Sequence, residues 1–141
     1  MTIPMEYQHA SRDFEAFLAD AKDRLGFATR NQTYTTVEAV LLVFRRRLSV
    51  ADALRFSDLL PPLLRALFVA GLDAEQQPQP FPSRDVLTSE VQSLRRDHNF
   101  SPQTSIADVA AALRKVVDIA RFDDLLAGFP PGALAYWASE G

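Results

Sequence analysis

Basic side chains concentrate at two places in the chain, Arg45-Arg46-Arg47 and Arg95-Arg96-Asp97-His98. Clustered guanidinium groups can bind phosphates or carboxylates in forked pairs. The same residues at the end of a helix also complement the partial negative charge of its last carbonyls. The second role is the expected one here. Arg45 is expected to lay its stem along the edge of a buried stripe, with Arg46 and Arg47 directed away from it. Arg65 is different, because it interrupts the apolar stretch Leu63-Leu64-Arg65-Ala66-Leu67-Phe68. A charge in such a helix lies at a rim or is paired, since an unpaired buried charge is costly. Asp58, Asp52 and Glu38 are the expected partners, in a structural salt bridge.

Other reactive groups are sparse. Cysteine is absent, which excludes disulfides, thiolate nucleophiles and cysteine-bound metals. The two histidines, His9 and His98, do not make a ligand set or a general base with its nucleophile. The acidic pairs Asp20-Asp23, Asp85-Glu90 and Asp123-Asp124 are expected on solvated helix faces, where their pKa values would not be driven apart. With five glycines there is no phosphate-cradling loop and no Gly-x-Ser-x-Gly turn. No catalytic residue, cofactor or metal is expected. The aromatic residues Phe68, Phe81, Tyr136 and Trp137 have two readings. They form an exposed patch for a partner, or Phe81 pins a connector and Trp137 closes the core. The second is favoured. The candidate interaction surface is Arg46, Arg47, Arg65, Phe68, Phe81 and Trp137.

The elements that would position these residues read as helices. Phe14, Phe17, Leu18, Ala21 and Leu25 form one helical stripe, begun by Ser11 and ended by Gly26. After a polar stretch from Thr29 to Thr33, the residues Tyr34, Val37, Leu41, Phe44 and Leu48 mark a second, longer helix that is apolar nearly all round. Ser49 with Asp52 opens a third helix, which stops before Pro61-Pro62. Those prolines open a fourth, ended by Gly71. Residues 72–83, with Pro78, Pro80 and Pro82, form a semi-rigid connector. Ser83 then caps a fifth helix, Ser105 with Asp108 a sixth and Asp118 a seventh. Pro130-Pro131 opens a short last helix through Trp137. No stretch alternates in the manner of a strand.

The pattern repeats. A shift of 69 residues places Val40 on Val109, Arg45 on Arg114, Ala51 on Ala120 and Pro61-Pro62 on Pro130-Pro131. Helix, cap, helix, Pro-Pro and helix recur in the same order. The expected fold is therefore all-α, about eight helices in two pseudo-repeated four-helix halves. Residues 1–10 are expected as a tail and 11–141 as one compact domain. Its parts are a first half 11–71, the connector 72–83 and a second half 84–141.

Three segments make the resemblance specific: Asp23-Arg24-Leu25-Gly26, Arg45-Arg46-Arg47-Leu48 and Leu60-Pro61-Pro62-Leu63-Leu64-Arg65. With the closing segment from Pro130 to Trp137, the chain resembles the bacterial domain-of-unknown-function family 2267 from about Tyr7 onwards. The resemblance implies a duplicated all-helical fold and carries over no activity, cofactor or catalytic residue. The second half has Leu134 where the first has Arg65.

Of 141 residues, 48% are apolar, enough for a true core, and the net charge is −3. That charge argues against nucleic acid and anionic membranes as partners. The longest apolar run, Ala39 to Phe44, is far short of the about 20 residues of a membrane span. A soluble, cytoplasmic, non-catalytic module is expected, meeting an unknown protein partner or a second copy of itself. The alternative from another class is a small-molecule or lipid-binding domain that uses the seam between the halves.

Overall fold

The structure is a computed structural model and describes residues 2–27, 29–94 and 101–139. Among these it is all-α, with nine helices and no strand: α1 (Met5–Gln8), α2 (Ala10–Leu25), α3 (Arg30–Arg45), α4 (Val50–Ser57), α5 (Pro62–Val69), α6 (Arg84–Ser93), α7 (Ser105–Arg114), α8 (Ile119–Ala127) and α9 (Ala133–Tyr136). The cluster Arg95 to His98 lies outside the described residues.

Local signals account for most of the boundaries. Gly26 takes a left-handed φ of 75° that a side chain would strain, and its N–H caps α2 on the Lys22 carbonyl. Ser49, Ser83 and Asp118 each accept a bond from the backbone N–H three residues on, opening α4, α6 and α8. Pro61 and Pro62 open α5 at no cost, because first-turn N–H groups have no helical acceptor.

Several boundaries differ from expectation, among them the start of α9, which begins at Ala133 behind a left-handed Gly132 and not at Pro130-Pro131. The stretch 1–10 is not all tail, since it contains α1. His9, not Ser11, precedes α2, and its side chain makes no cap bond. The polar stretch Thr29 to Thr33 belongs to α3, because Thr29 and Gln32 form a reciprocal capping box. Helix α7 is preceded by Thr104, whose hydroxyl donates to Asp108 at 2.7 Å. Ser105 is buried inside the first turn and caps nothing.

Packing is reciprocal between the first-half helices α2–α5 and the second-half helices α6–α9. Helix α2 packs on α7, and α3 packs on α6 and α7. Within the halves α3 meets α5 as α7 meets α9, and α4 meets α5 as α8 meets α9. The buried apolar side chains form one continuous cluster drawn from both halves. At its centre lie Phe44, Phe56, Phe122, Tyr136 and Trp137, with neighbouring ring centroids 4.8–6.1 Å apart. Such spacings suit tilted and edge-on aromatic pairs.

Candidate functional site

The arginine cluster at the end of α3 is largely consumed by the fold. Arg45 donates from Nη1 to the carbonyls of Phe68 and Ala70, both at 2.8 Å. It thereby satisfies the C-terminal end of α5, whose last carbonyls have no helical donor. Burial, then the neighbouring Arg46, lowers its pKa from the ordinary value. Arg47 does not point away from the core as expected. It is 3% exposed, paired with Glu90 of α6, and donates to Gln79 at 2.9 Å. Two facts of tertiary structure explain the reversal. Helix α3 ends at Arg45, so helical spacing no longer sets the direction of later side chains. The connector then crosses that end. Gln76 donates to the carbonyls of Arg45 and Leu48, and the N–H of Gln79 donates to the Arg46 carbonyl. Arg46 alone stays substantially exposed, 3.7 Å from Glu90.

Arg65 is half-buried, but its partners are not Asp58, Asp52 or Glu38. Its guanidinium donates to the carbonyls of Ser57 at 3.2 Å and Leu60 at 2.9 Å, with Glu6 of α1 at 3.8 Å. Prolines 61 and 62 supply no N–H to the end of α4; the Leu60 N–H bonds the Ser57 carbonyl at 3.0 Å, and Arg65 adds a second donor there and bonds the Leu60 carbonyl. Glu90 departs from the expectation of a solvated face, whereas Asp123 keeps its exposure. Glu90 holds Arg47, and Asp123 accepts from Arg114 at 2.9 Å.

The aromatic residues do not form an exposed patch. Phe68, Tyr136 and Trp137 are buried. Tyr136 donates its hydroxyl to the Val40 carbonyl at 2.6 Å, and burial raises its pKa far above the ordinary value. Phe81 is half-buried and lies over Gly132, where a Cβ would come within 2.6 Å of it. Among the candidate interaction residues, Arg47, Phe68 and Trp137 are therefore withdrawn from solvent, and Arg65 and Phe81 are partly so. Among the described residues, no three of His, Asp and Glu are grouped to hold a metal ion. No helix there is long and apolar enough to cross a membrane.

One open cleft with a largely apolar lining lies between α2, α5 and the turn joining α7 to α8. It encloses about 290 Å³ and is lined by Ala10, Asp13, Phe14, Phe17, Leu63, Leu64 and Val116 among others. Leu63 stands 38% exposed at its lip. At Asp13, Pro61 and Val116 the cleft runs into a more polar furrow that holds Glu6, Asp58, Asp118, Arg65 and Arg121. None of the cleft's apolar residues was singled out as functional from the sequence. The sequence signal that bears on it is the apolar stretch Leu63 to Phe68, interrupted only by Arg65.

The model of a family of uncharacterized conserved proteins, DUF2267, matches residues 14–135. The chain belongs to the DUF2267 family. A search of the curated proteins gave no match. The DUF2267 match spans the helical body from Phe14 to Ala135 and so takes in most of the cleft. Helix α1 with Glu6, and the closing Tyr136 and Trp137, lie outside it.

Proposed function

We propose that this DUF2267 chain is a non-catalytic protein-interaction module whose contact face is the cleft between α2 and α5. The carrying observation is Leu63, a large apolar side chain left 38% exposed at the lip of a cleft with an apolar floor. An apolar floor beside partly exposed polar groups is the anatomy of a protein contact, with a dry centre and a wet rim. A small-molecule or lipid reading has less support. At about 290 Å³ the cleft falls at the bottom of the roughly 300–1,000 Å³ of ligand pockets, and it is open along one side.

A photo-crosslinking amino acid at position 63, expressed in the source cells, tests the reading. Position 86 is the control, because Val86 is 48% exposed on α6, away from the cleft. The expected result is a discrete protein adduct from position 63 and none from position 86. An adduct of twice the chain's mass would identify a second copy as the partner. No adduct, or the same adducts from both positions, would overturn the reading.

A further inference from the structure

The second half contains a counterpart of the open cleft, and it is already filled. It lies between α6 and α9, the first and last helices of that half, as the open cleft lies between α2 and α5. Position 63 maps onto Gly132 under the 69-residue shift. Phe81, delivered by the extended segment Pro80-Phe81-Pro82, occupies the space a side chain at 132 would need. Its ring lies 6.0 Å from Phe44 and 6.1 Å from Tyr136, and about 100 Å³ is left around it. Three residues on, Arg84 donates to the Ala135 carbonyl at 2.7 Å and sits over the Tyr136 ring at 5.8 Å. The chain thus shows how one of its clefts is filled: an aromatic anchor on an extended backbone, with a guanidinium one step further along.

Among the described residues, none fills the open cleft in this way. Phe81 precedes α6 by three residues, and the residue in that place before α2 is Tyr7, which is 51% exposed. The surroundings of the open cleft also favour a basic neighbour. Glu6, Asp13, Asp58 and Asp118 line the cleft and furrow together with Arg65 and Arg121. Arg65 is committed to two carbonyls and Glu6, and Asp13 has Arg12 at 3.6 Å, which leaves Asp58 and Asp118 against Arg121 alone. A second copy meeting this face through a twofold axis would set one acidic rim against another.

We infer that the open cleft binds an extended segment of a partner protein, anchored by a phenylalanine and followed by an arginine or lysine. The inference rests on the reading of the cleft as the contact face. A cleft of this size suits one or two side chains, the scale at which a buried aromatic anchor carries most of the energy of a contact.

The test uses the intact chain and a fluorescein-labelled peptide with the sequence of its own residues 77–84, Gln-Pro-Gln-Pro-Phe-Pro-Ser-Arg. Anisotropy should give a Kd of order 10–500 μM, weak because a flexible peptide is ordered on binding. Replacing the peptide's Phe by Ala should weaken binding about tenfold or more. Replacing its Arg by Glu should weaken it about three- to tenfold. Leu63→Asp in the protein should abolish binding with an unchanged Tm. Absence of binding up to about 2 mM, equal binding of the Phe and Ala peptides, or indifference to Leu63→Asp would each overturn the inference. Crosslinking keeps the two readings apart. An adduct at position 63 that excess peptide does not suppress leaves the contact face standing and removes this class of partner. Absence of an adduct removes the contact face itself.

Discussion

Arg45 closes α3 in the first half and Arg114 closes α7 in the second, 69 residues apart. Each donates to a backbone carbonyl 23 residues further on, Phe68 for Arg45 and Trp137 for Arg114. Those two acceptors are themselves 69 residues apart. Beyond this shared bond the arginines differ. Arg45 takes a second carbonyl, Ala70, and has no carboxylate partner among the described residues. Arg114 takes Asp123 instead and lies 5.4 Å over the Phe122 ring. At the end of α5 two carbonyls, those of Phe68 and Ala70, face Arg45, whereas at the end of α9 Arg114 meets only that of Trp137. Where backbone acceptors run short, an acidic side chain from the neighbouring helix completes the guanidinium.

The two last helices also relate differently to the core. Position 67 is Leu in α5 and position 136, its counterpart, is Tyr in α9. Tyr136 ties the end of the chain to the middle of α3 through its bond to Val40, while α5 leaves Leu63 facing the cleft. The edge between α6 and α9 is therefore closed by Phe81 of the connector and by Tyr136, while the edge between α2 and α5 stays open.

The largest effect that could break this comparison lies at the paired aromatics. Trp137→Ala and Phe68→Ala each remove a fully buried ring and should each cost about 3–5 kcal/mol, a Tm fall of roughly 10 °C or more by calorimetry. Trp137 emission should be blue-shifted and poorly quenched by iodide. If Trp137→Ala leaves Tm unchanged, the second half is not closed as described.

The arginines come next. Arg45→Met strands two carbonyls in a dry setting and should cost about 2–3 kcal/mol in urea unfolding. Arg114→Met strands one, and Asp123 is exposed enough to return to water, so about 1–2 kcal/mol is expected. A larger loss for Arg114→Met than for Arg45→Met would reverse the ordering.

The smallest effect concerns Tyr136. Its folded-state pKa is raised by burial, so the neutral hydroxyl is the form the fold accepts. The stability it contributes is fully present below the unfolded tyrosine pKa of about 10 and is lost as pH rises above it, by about 1.4 kcal/mol per pH unit. Tyr136→Phe should cost about 1 kcal/mol at pH 7 and remove that alkaline slope from the Tm profile. Leu67, its counterpart, has no proton to lose, so an unchanged slope in Tyr136→Phe would place the alkaline sensitivity elsewhere.

Helices, caps and the buried apolar stripes were legible in the sequence, because each is set by interactions within about four residues. Gly26, Ser49, Ser83, Asp118 and the Pro61-Pro62 turn act on their own backbone neighbourhood, and all do so here, whereas Pro130-Pro131 does not open α9, which begins at Ala133 behind a left-handed Gly132. The missed boundaries are those where a side chain was taken up by tertiary structure, such as Ser105, buried against the core instead of capping α7. Side-chain partners were not legible for the same reason. Helical spacing continued past α3 pointed Arg47 to solvent, yet Gln79 and Glu90, 32 and 43 residues away, enclose it. Arg65 took the carbonyls of Ser57 and Leu60, with Glu6 of α1 beside it, and not Asp58, Asp52 or Glu38, because the packing of α1 and α5 on the end of α4, not sequence proximity, set its neighbours. The sequence by itself determined that this chain is helical, where its helices turn and that it has more apolar surface than one core face requires. Only the tertiary structure decided which apolar edge stays open. That depends on Phe81 reaching Gly132 across the fold while Tyr7 does not reach Leu63, a matter of long-range chain path that no local spacing encodes.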